Sequence, residues 1–170
     1  MIVRPEAPAD RNAVRAVHAA SFPTLDEARL EDALREHGRL LVSLVAETDG
    51  RVVGHAAFSP VELAGATGGA GLGPVAVLPA FRRRGIAERL VREGLDACRR
   101  LGLRFAVVLG DPAYYARFGF EPAGRRGLSC AFGGGDAFQV LELAAGAIPS
   151  AGGLVSYAPE FDAFGEEETG

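Results

Sequence analysis

Three consecutive arginines, Arg82, Arg83 and Arg84, stand before a glycine, Gly85, and a run with helical spacing. The first turn of a helix has unpaired N–H groups and the positive end of the macrodipole, so it favours negative charge. Arginines there repel the dipole unless an anion joins them. Phosphate is the natural complement: backbone N–H groups at a helix start converge on one spot, and guanidinium forks match phosphate oxygens. Gly85 has no side chain to hold a ligand away from the backbone, and Ala87 has nearly none. A solvated basic turn would explain the charge alone. The order apolar strand, Leu78-Pro79, Arg82, Gly85, Ala87 favours the anion site. The spacing is neither that of a Walker loop nor that of a dinucleotide fingerprint.

The strand before this junction holds Gly73-Pro74 in its middle. Proline donates no hydrogen bond, so the ladder must break or bulge there. An ordinary edge bulge is one outcome. The other is that the backbone of Val75, Ala76 and Val77 is left free to pair with an extended, amide-bearing ligand arm, as an added strand would.

Other reactive side chains are sparse. Tyr115, read from its neighbours alone, is a packed ring in an aromatic corner with Tyr114, Phe118 and Phe120. Thr24 to Glu27 fits a capping box, which would use up Glu27. Glu62 falls near a strand end facing solvent, His55 lies inside a strand, and His18 and His37 fall on helices at the surface or its boundary. The three histidines lack ligand spacing, so no metal is expected.

The chain of 170 residues is 48% hydrophobic and 24% charged, with a net charge of −4. That suits one globular domain and argues against general nucleic-acid binding. Cys98 and Cys130 are too few for a disulfide scaffold, and no apolar run is long enough to span a bilayer. A cytoplasmic protein is expected, with no membrane partner, as a monomer or homodimer.

The elements that must position the junction follow from periodicity. A short strand over Ile2 to Arg4 precedes helices from Asp10 to Ser21 and from Thr24 to near Gly38. Three strands follow: Leu40 to Glu47, Arg51 to Leu63, and Ala70 to Pro79. Asp49-Gly50 makes the first hairpin turn, Gly65 to Gly69 the second, and Pro60 hints at a bulge. A helix over Arg83 to Arg100 stops at Gly102, with Ile86, Leu90, Val91, Leu95 and Cys98 on one face. A buried strand, Arg104 to Gly110, leads to a short helix opened by Asp111-Pro112, and a late strand covers Phe138 to Leu143. This order predicts an α/β (α+β) fold with a mixed, mostly antiparallel central sheet flanked by helices. One domain is assigned to residues 1–165, with 166–170 as an acidic tail.

On these residues the chain resembles the GNAT superfamily of N-acetyltransferases. Its signature, Gln/Arg-x-x-Gly-x-Gly/Ala after a strand, is matched by Arg82, Gly85 and Ala87 in "GPVAVLPAFRRRGIAERLV". "YYARFGFEPA" is similar to the family's short tyrosine-bearing helix. "LGDPAYYARFGFEPA" and "GLVSYAPEF" resemble a bacterial subgroup of predicted acetyltransferases. The resemblance implies a splay between the fourth and fifth strands and acetyl-CoA as acyl donor. Arg82, Arg83, Arg84, Gly85, Ile86 and Ala87 would then bind the pyrophosphate. Val75, Ala76 and Val77 would line the pantetheine arm, and the Val75 N–H would polarise the thioester. Tyr115 would be the general acid for the leaving thiolate, and the acceptor a primary amine. The sequence departs from many relatives at Gly71-Leu72-Gly73-Pro74, where a glutamate is missing. That departure leaves the base unassigned and keeps a catalytically silent acyl-CoA-binding or sensor domain as the alternative.

Overall fold

A computed structural model describes residues 1–163; the acidic stretch assigned to a tail, 166–170, lies outside the described residues. The chain begins with β1 (Ile2–Pro5), followed by α1 (Arg11–Ser21) and α2 (Asp26–Glu36). Next come β2 (Val42–Thr48), β3 (Arg51–Leu63), β4 (Ala66–Val77) and α3 (Ile86–Arg100). The rest comprises β5 (Phe105–Leu109), α4 (Pro112–Tyr115), β6 (Glu121–Pro122), β7 (Leu128–Cys130), β8 (Phe138–Glu142) and β9 (Gly153–Ser156). The sheet runs β1-β2-β3-β4-β5-β8-β6, with β9 joining the end of β3 and β7. Among the described residues, only β4–β5 and β7–β9 are parallel.

Alternation along the strands sorts side chains onto two faces. Leu44, Ala56 and Phe58 face α3, whose Ile86, Leu90, Val91, Leu95 and Cys98 form the main core with them. Val45 and Ala76 face α1 through Val14 and Val17. Leu30 and Leu34 of α2 pack with Ala158 near the C-terminal end of the described chain. Gly94 lets α3 lie close against β3: a methyl group there would overlap the Phe58 ring. This close approach fixes α3, and with it the helix start that the arginines precede.

Several boundaries differ from the sequence expectation. The second hairpin turn is tighter than Gly65 to Gly69. Ala64 and Gly65 alone make it, at φ +50° and +83°, and β4 resumes at Ala66. The ladder irregularities flank Pro60 rather than sit on it, between Ala56 and Phe58 and between Val61 and Leu63. The strands β6, β7 and β9 were not foreseen, being two to four residues long. His18, expected at the surface or its boundary, is fully buried: from α1 its ring meets that of His55 on β3 edge-on.

Candidate active site

The site begins where β4 leaves β5. Their parallel ladder runs from Gly69–Phe105 to Leu72–Val108 and stops there. On the other edge, Leu72 pairs with Phe58 and Val75 with Ala56, so Gly73 and Pro74 bulge opposite a single β3 residue, Ala57. Gly73 takes φ +144°, a conformation that favours glycine. Beyond the bulge, β4 keeps β3 as its partner but has lost β5.

Hydrogen-bond parity shows which groups face the open edge. The Leu78 N–H donates to the Val53 carbonyl at 2.8 Å, so Leu78 and Ala76 face β3. Val75 and Val77 therefore face the open side. Ala76 belongs to the site through its position in the wall. The Val77 carbonyl already accepts from Arg82 Nε at 3.0 Å and Ser21 Oγ at 3.3 Å.

The arginine junction forms the other half. Arg83 has φ +64°, an uncommon state for a residue with a side chain, and Gly85 has φ +77°. Among the described residues, no backbone carbonyl accepts the N–H groups of Arg83 through Glu88; the first helical bond is Arg89 to Gly85, 3.1 Å. Successive free N–H groups in such a turn make an anion-binding concavity. Arg84 turns aside, its guanidinium 5.2 Å from the Phe81 ring centre.

A cavity of about 390 Å³ joins these parts. Val75, Ala76, Val77, Arg82, Arg83, Gly85, Ile86 and Ala87 all line it, whereas Arg84 does not. Ser21, Phe22, Phe81, Glu88, Tyr114 and Arg117 complete its wall, none of which the sequence assigned to the site.

A second cavity, about 340 Å³, lies on the other side of Val75. Val75 and Phe22 line both. Tyr115 lines the second. Its ring packs edge-on to Tyr114 and Phe120, at 5.1 and 5.9 Å between centres, so it is a packed ring that also borders the cavity. Burial pushes its phenol up to about 12, so the hydroxyl keeps its proton at neutral pH.

Glu27 also lines the second cavity, and its Oε2 is buried without a hydrogen-bond partner. The expected capping box does not form: Leu25 is the residue that precedes α2, and Thr24 Oγ1 accepts from the Asp26 N–H at 3.2 Å. Glu27 shares a helix face with Leu30 and Leu34, three and seven residues on. That spacing was the signal that it points inward.

Glu62 is exposed, as expected for a solvent-facing strand end. His55 is not at the cavities. It lies in a buried cluster with His18 and Ser43, at 2.8 Å from each. Glu6, Glu31 and His55 approach one another closely enough to hold a cation. The Arg35 guanidinium already bonds both carboxylates, so the cluster has its own internal counter-charge.

Comparison with known proteins bears on this geometry. The sequence model of the acetyltransferase (GNAT) family matches residues 11–120. The chain belongs to this family. It is 43% identical to the uncharacterized N-acetyltransferase YhbS of Escherichia coli K12, covering 96% of this chain and all of that one. The crystal structure of Escherichia coli YhbS in complex with CoA superposes with a TM-score of 0.91, at 43% identity over 95% of this chain and 91% of that one. A GNAT acetyltransferase from Brucella melitensis, solved with acetyl-CoA, gives 0.79 at 42% identity over 95% and 97%. The GNAT segment contains β4, the arginine junction and Tyr115, and it ends at Phe120. Phe132, Tyr157 and Phe161, which close the second cavity, come from beyond it.

Proposed function

We propose that the protein transfers the acetyl group of acetyl-CoA to a primary amine by direct attack, without a covalent enzyme intermediate. The observation that carries this reading is the meeting of two cavities at Val75. One is walled by free N–H groups and arginines, and the other holds a carboxylate and two phenols. A diphosphate suits the turn from Arg83 to Ala87. The open edge at Val75 and Val77 suits the amide-bearing arm that follows it. The relatives solved with CoA and acetyl-CoA support the same donor.

The chemistry asks for three things. An amine with pKa about 10.4 is neutral in only about one molecule in 2,500 at pH 7, so a proton must be taken from it. The oxyanion of the tetrahedral intermediate needs a donor, for which the Val75 N–H on the open edge is suited. The leaving thiolate needs a proton, and Tyr115 carries one beside Val75. Glu27 supplies a carboxylate that β4 lacks, which favours a working enzyme over a silent binding domain.

None of the helices in the described residues is long and apolar enough to cross a membrane. Cys98 and Cys130 are free and buried. Unpaired thiols suit a reducing compartment, and we assign the reaction to the cytoplasm.

Titration calorimetry with acetyl-CoA, CoA and ATP, followed by thiol release in the presence of amines, tests the reading. Acetyl-CoA and CoA are expected to bind with ATP well behind, and thiol release is expected to require an amine. Absence of acetyl-CoA binding would refute it.

A further inference from the structure

The second cavity is unusual in its charge inventory. Among the residues that line it, Glu27 alone carries a charge. The rest of the wall is apolar or aromatic, with Phe22, Leu30, Phe132, Tyr157 and Phe161 among its residues, and the Tyr157 hydroxyl is its other buried polar atom without a hydrogen-bond partner. Phe132, Tyr157 and Phe161 are packed as a chain, with ring centres 5.4 and 5.1 Å apart, so this wall is built rather than incidental. Gly71 keeps β4 close to Tyr157: a Cβ there would lie 3.0 Å from the ring.

A buried carboxylate oxygen without a partner is costly, and in a native site it is matched by a ligand or water. We propose that Glu27 receives the ammonium group of the acceptor and takes its proton, and that the acceptor is a small primary monoamine on an uncharged, apolar or aromatic body. This rests on the acyltransferase reading above and narrows it to a substrate class. One carboxylate matches one ammonium. A second charge on the body, of either sign, would be stranded against aromatic rings at a large desolvation cost. A polyamine or a free amino acid is therefore disfavoured, while the ring of an arylalkylamine finds the walls that it needs.

The ammonium gives one proton to Glu27 and becomes a neutral amine. Its lone pair attacks the thioester carbon, forming the C–N bond and a tetrahedral intermediate. The C–S bond then breaks, the sulfur gains a proton from Tyr115, the second proton of the nitrogen restores the Tyr115 phenol, and Glu27 releases the first to solvent. The products are the amide and the CoA thiol, with one net proton released.

The test measures kcat/KM with saturating acetyl-CoA for 2-phenylethylamine, L-phenylalanine and spermidine. The first two differ only by a carboxylate, and the third is a chain of cations. Binding of 2-phenylethylamine to the CoA-saturated protein is measured alongside, in wild type, Glu27→Gln and Glu27→Asp. We expect 2-phenylethylamine to exceed both other amines by about tenfold or more. Glu27→Gln should lower its kcat/KM by about 100-fold, the size of a lost proton acceptor, and weaken its binding to the CoA complex. Acetyl-CoA affinity should stay unchanged, which reports an intact fold, and Glu27→Asp should recover part of the loss. Equal or better turnover of spermidine or L-phenylalanine, or a Glu27→Gln variant as active as wild type, overturns the inference. So does turnover of none of the three while acetyl-CoA binds, and the donor reading then survives. Failure to bind acetyl-CoA at all refutes the acyltransferase reading first.

Discussion

Arg82 turns back on the strand that precedes it: its Nε donates to the Val77 carbonyl at 3.0 Å. The residue that the sequence offers as a phosphate ligand is thus also a clasp. It holds the last open-edge carbonyl of β4 and fixes the approach to the turn at Arg83. Ser21 Oγ reaches the same carbonyl at 3.3 Å, so α1 shares the clasp. Lysine cannot reproduce a guanidinium that grips a carbonyl with one nitrogen and presents others to a ligand. Arg82→Lys is therefore expected to weaken acetyl-CoA binding about tenfold, the cost of about one charge-assisted hydrogen bond. Calorimetry measures it, and an affinity equal to wild type would reduce Arg82 to a surface residue.

Gly85 is required for its conformation rather than for lack of room. No heavy atom lies within 4 Å of where its Cβ would stand, but its φ is +77°. Gly85→Val puts a branched side chain in a left-handed state, at about 1–3 kcal/mol, and adds bulk to the open space at the wall of the first cavity. Urea unfolding should show a loss of that order. Acetyl-CoA affinity should fall by about 100-fold or more, well beyond what strain alone produces in an otherwise folded protein. A variant that binds as wild type would show that the cradle lies elsewhere.

Tyr115→Phe separates the two readings of that ring. Phenylalanine keeps the packing on Tyr114 and Phe120 and removes only the hydroxyl. As a proton donor, Tyr115 is expected to account for about 10- to 100-fold in kcat, with acetyl-CoA affinity within about threefold of wild type. Because burial holds the phenol up near 12, its ionisation should cause no fall in wild-type kcat below about pH 10. Unchanged turnover in the variant would return Tyr115 to the core.

Much of the donor half of the site was legible in the chain because it is local. Gly73-Pro74, Arg82, Gly85 and Ala87 lie within fifteen consecutive residues, and the consequences of a proline in a ladder or a glycine at a helix start are backbone rules. The helix α3 was legible for the same reason: its apolar face repeats at a fixed period. The acceptor half was not. It joins Glu27 of α2, Val108 of β5 and Tyr157 beyond β9, which only the folded sheet brings together. Glu27 illustrates the difficulty. Its local pattern fits a cap, and tertiary packing of Leu30 and Leu34 turns it into a cavity instead. His18 fails in the same way, since its burial depends on His55, 37 residues away. Strands as short as β6 and β7 are fixed by their neighbours rather than by their own alternation.

The buried cluster beside α1 makes a prediction about pH. Burial, followed by the Arg35 charge, lowers the His18 imidazole to about 4, and burial with His18 and Arg35 lowers His55 well below its usual range. The unfolded chain takes up these protons near pH 6.5 and the folded one does not, so acidification from about 6.5 towards 4 costs stability. Glu31 runs the other way. Burial pushes it up to about 7, against the pull of Arg35. The folded state then keeps a proton that the unfolded chain releases above about 4.5, so acidification from 7 to 4.5 favours the fold. The two effects offset each other in the wild type. Glu31→Gln removes the second, so passing from pH 7 to pH 5 should cost the variant more unfolding free energy than it costs the wild type. Urea unfolding of both proteins at the two pH values measures the difference. Equal slopes would mean that Arg35 keeps Glu31 ionised throughout, with the ion pair outweighing burial.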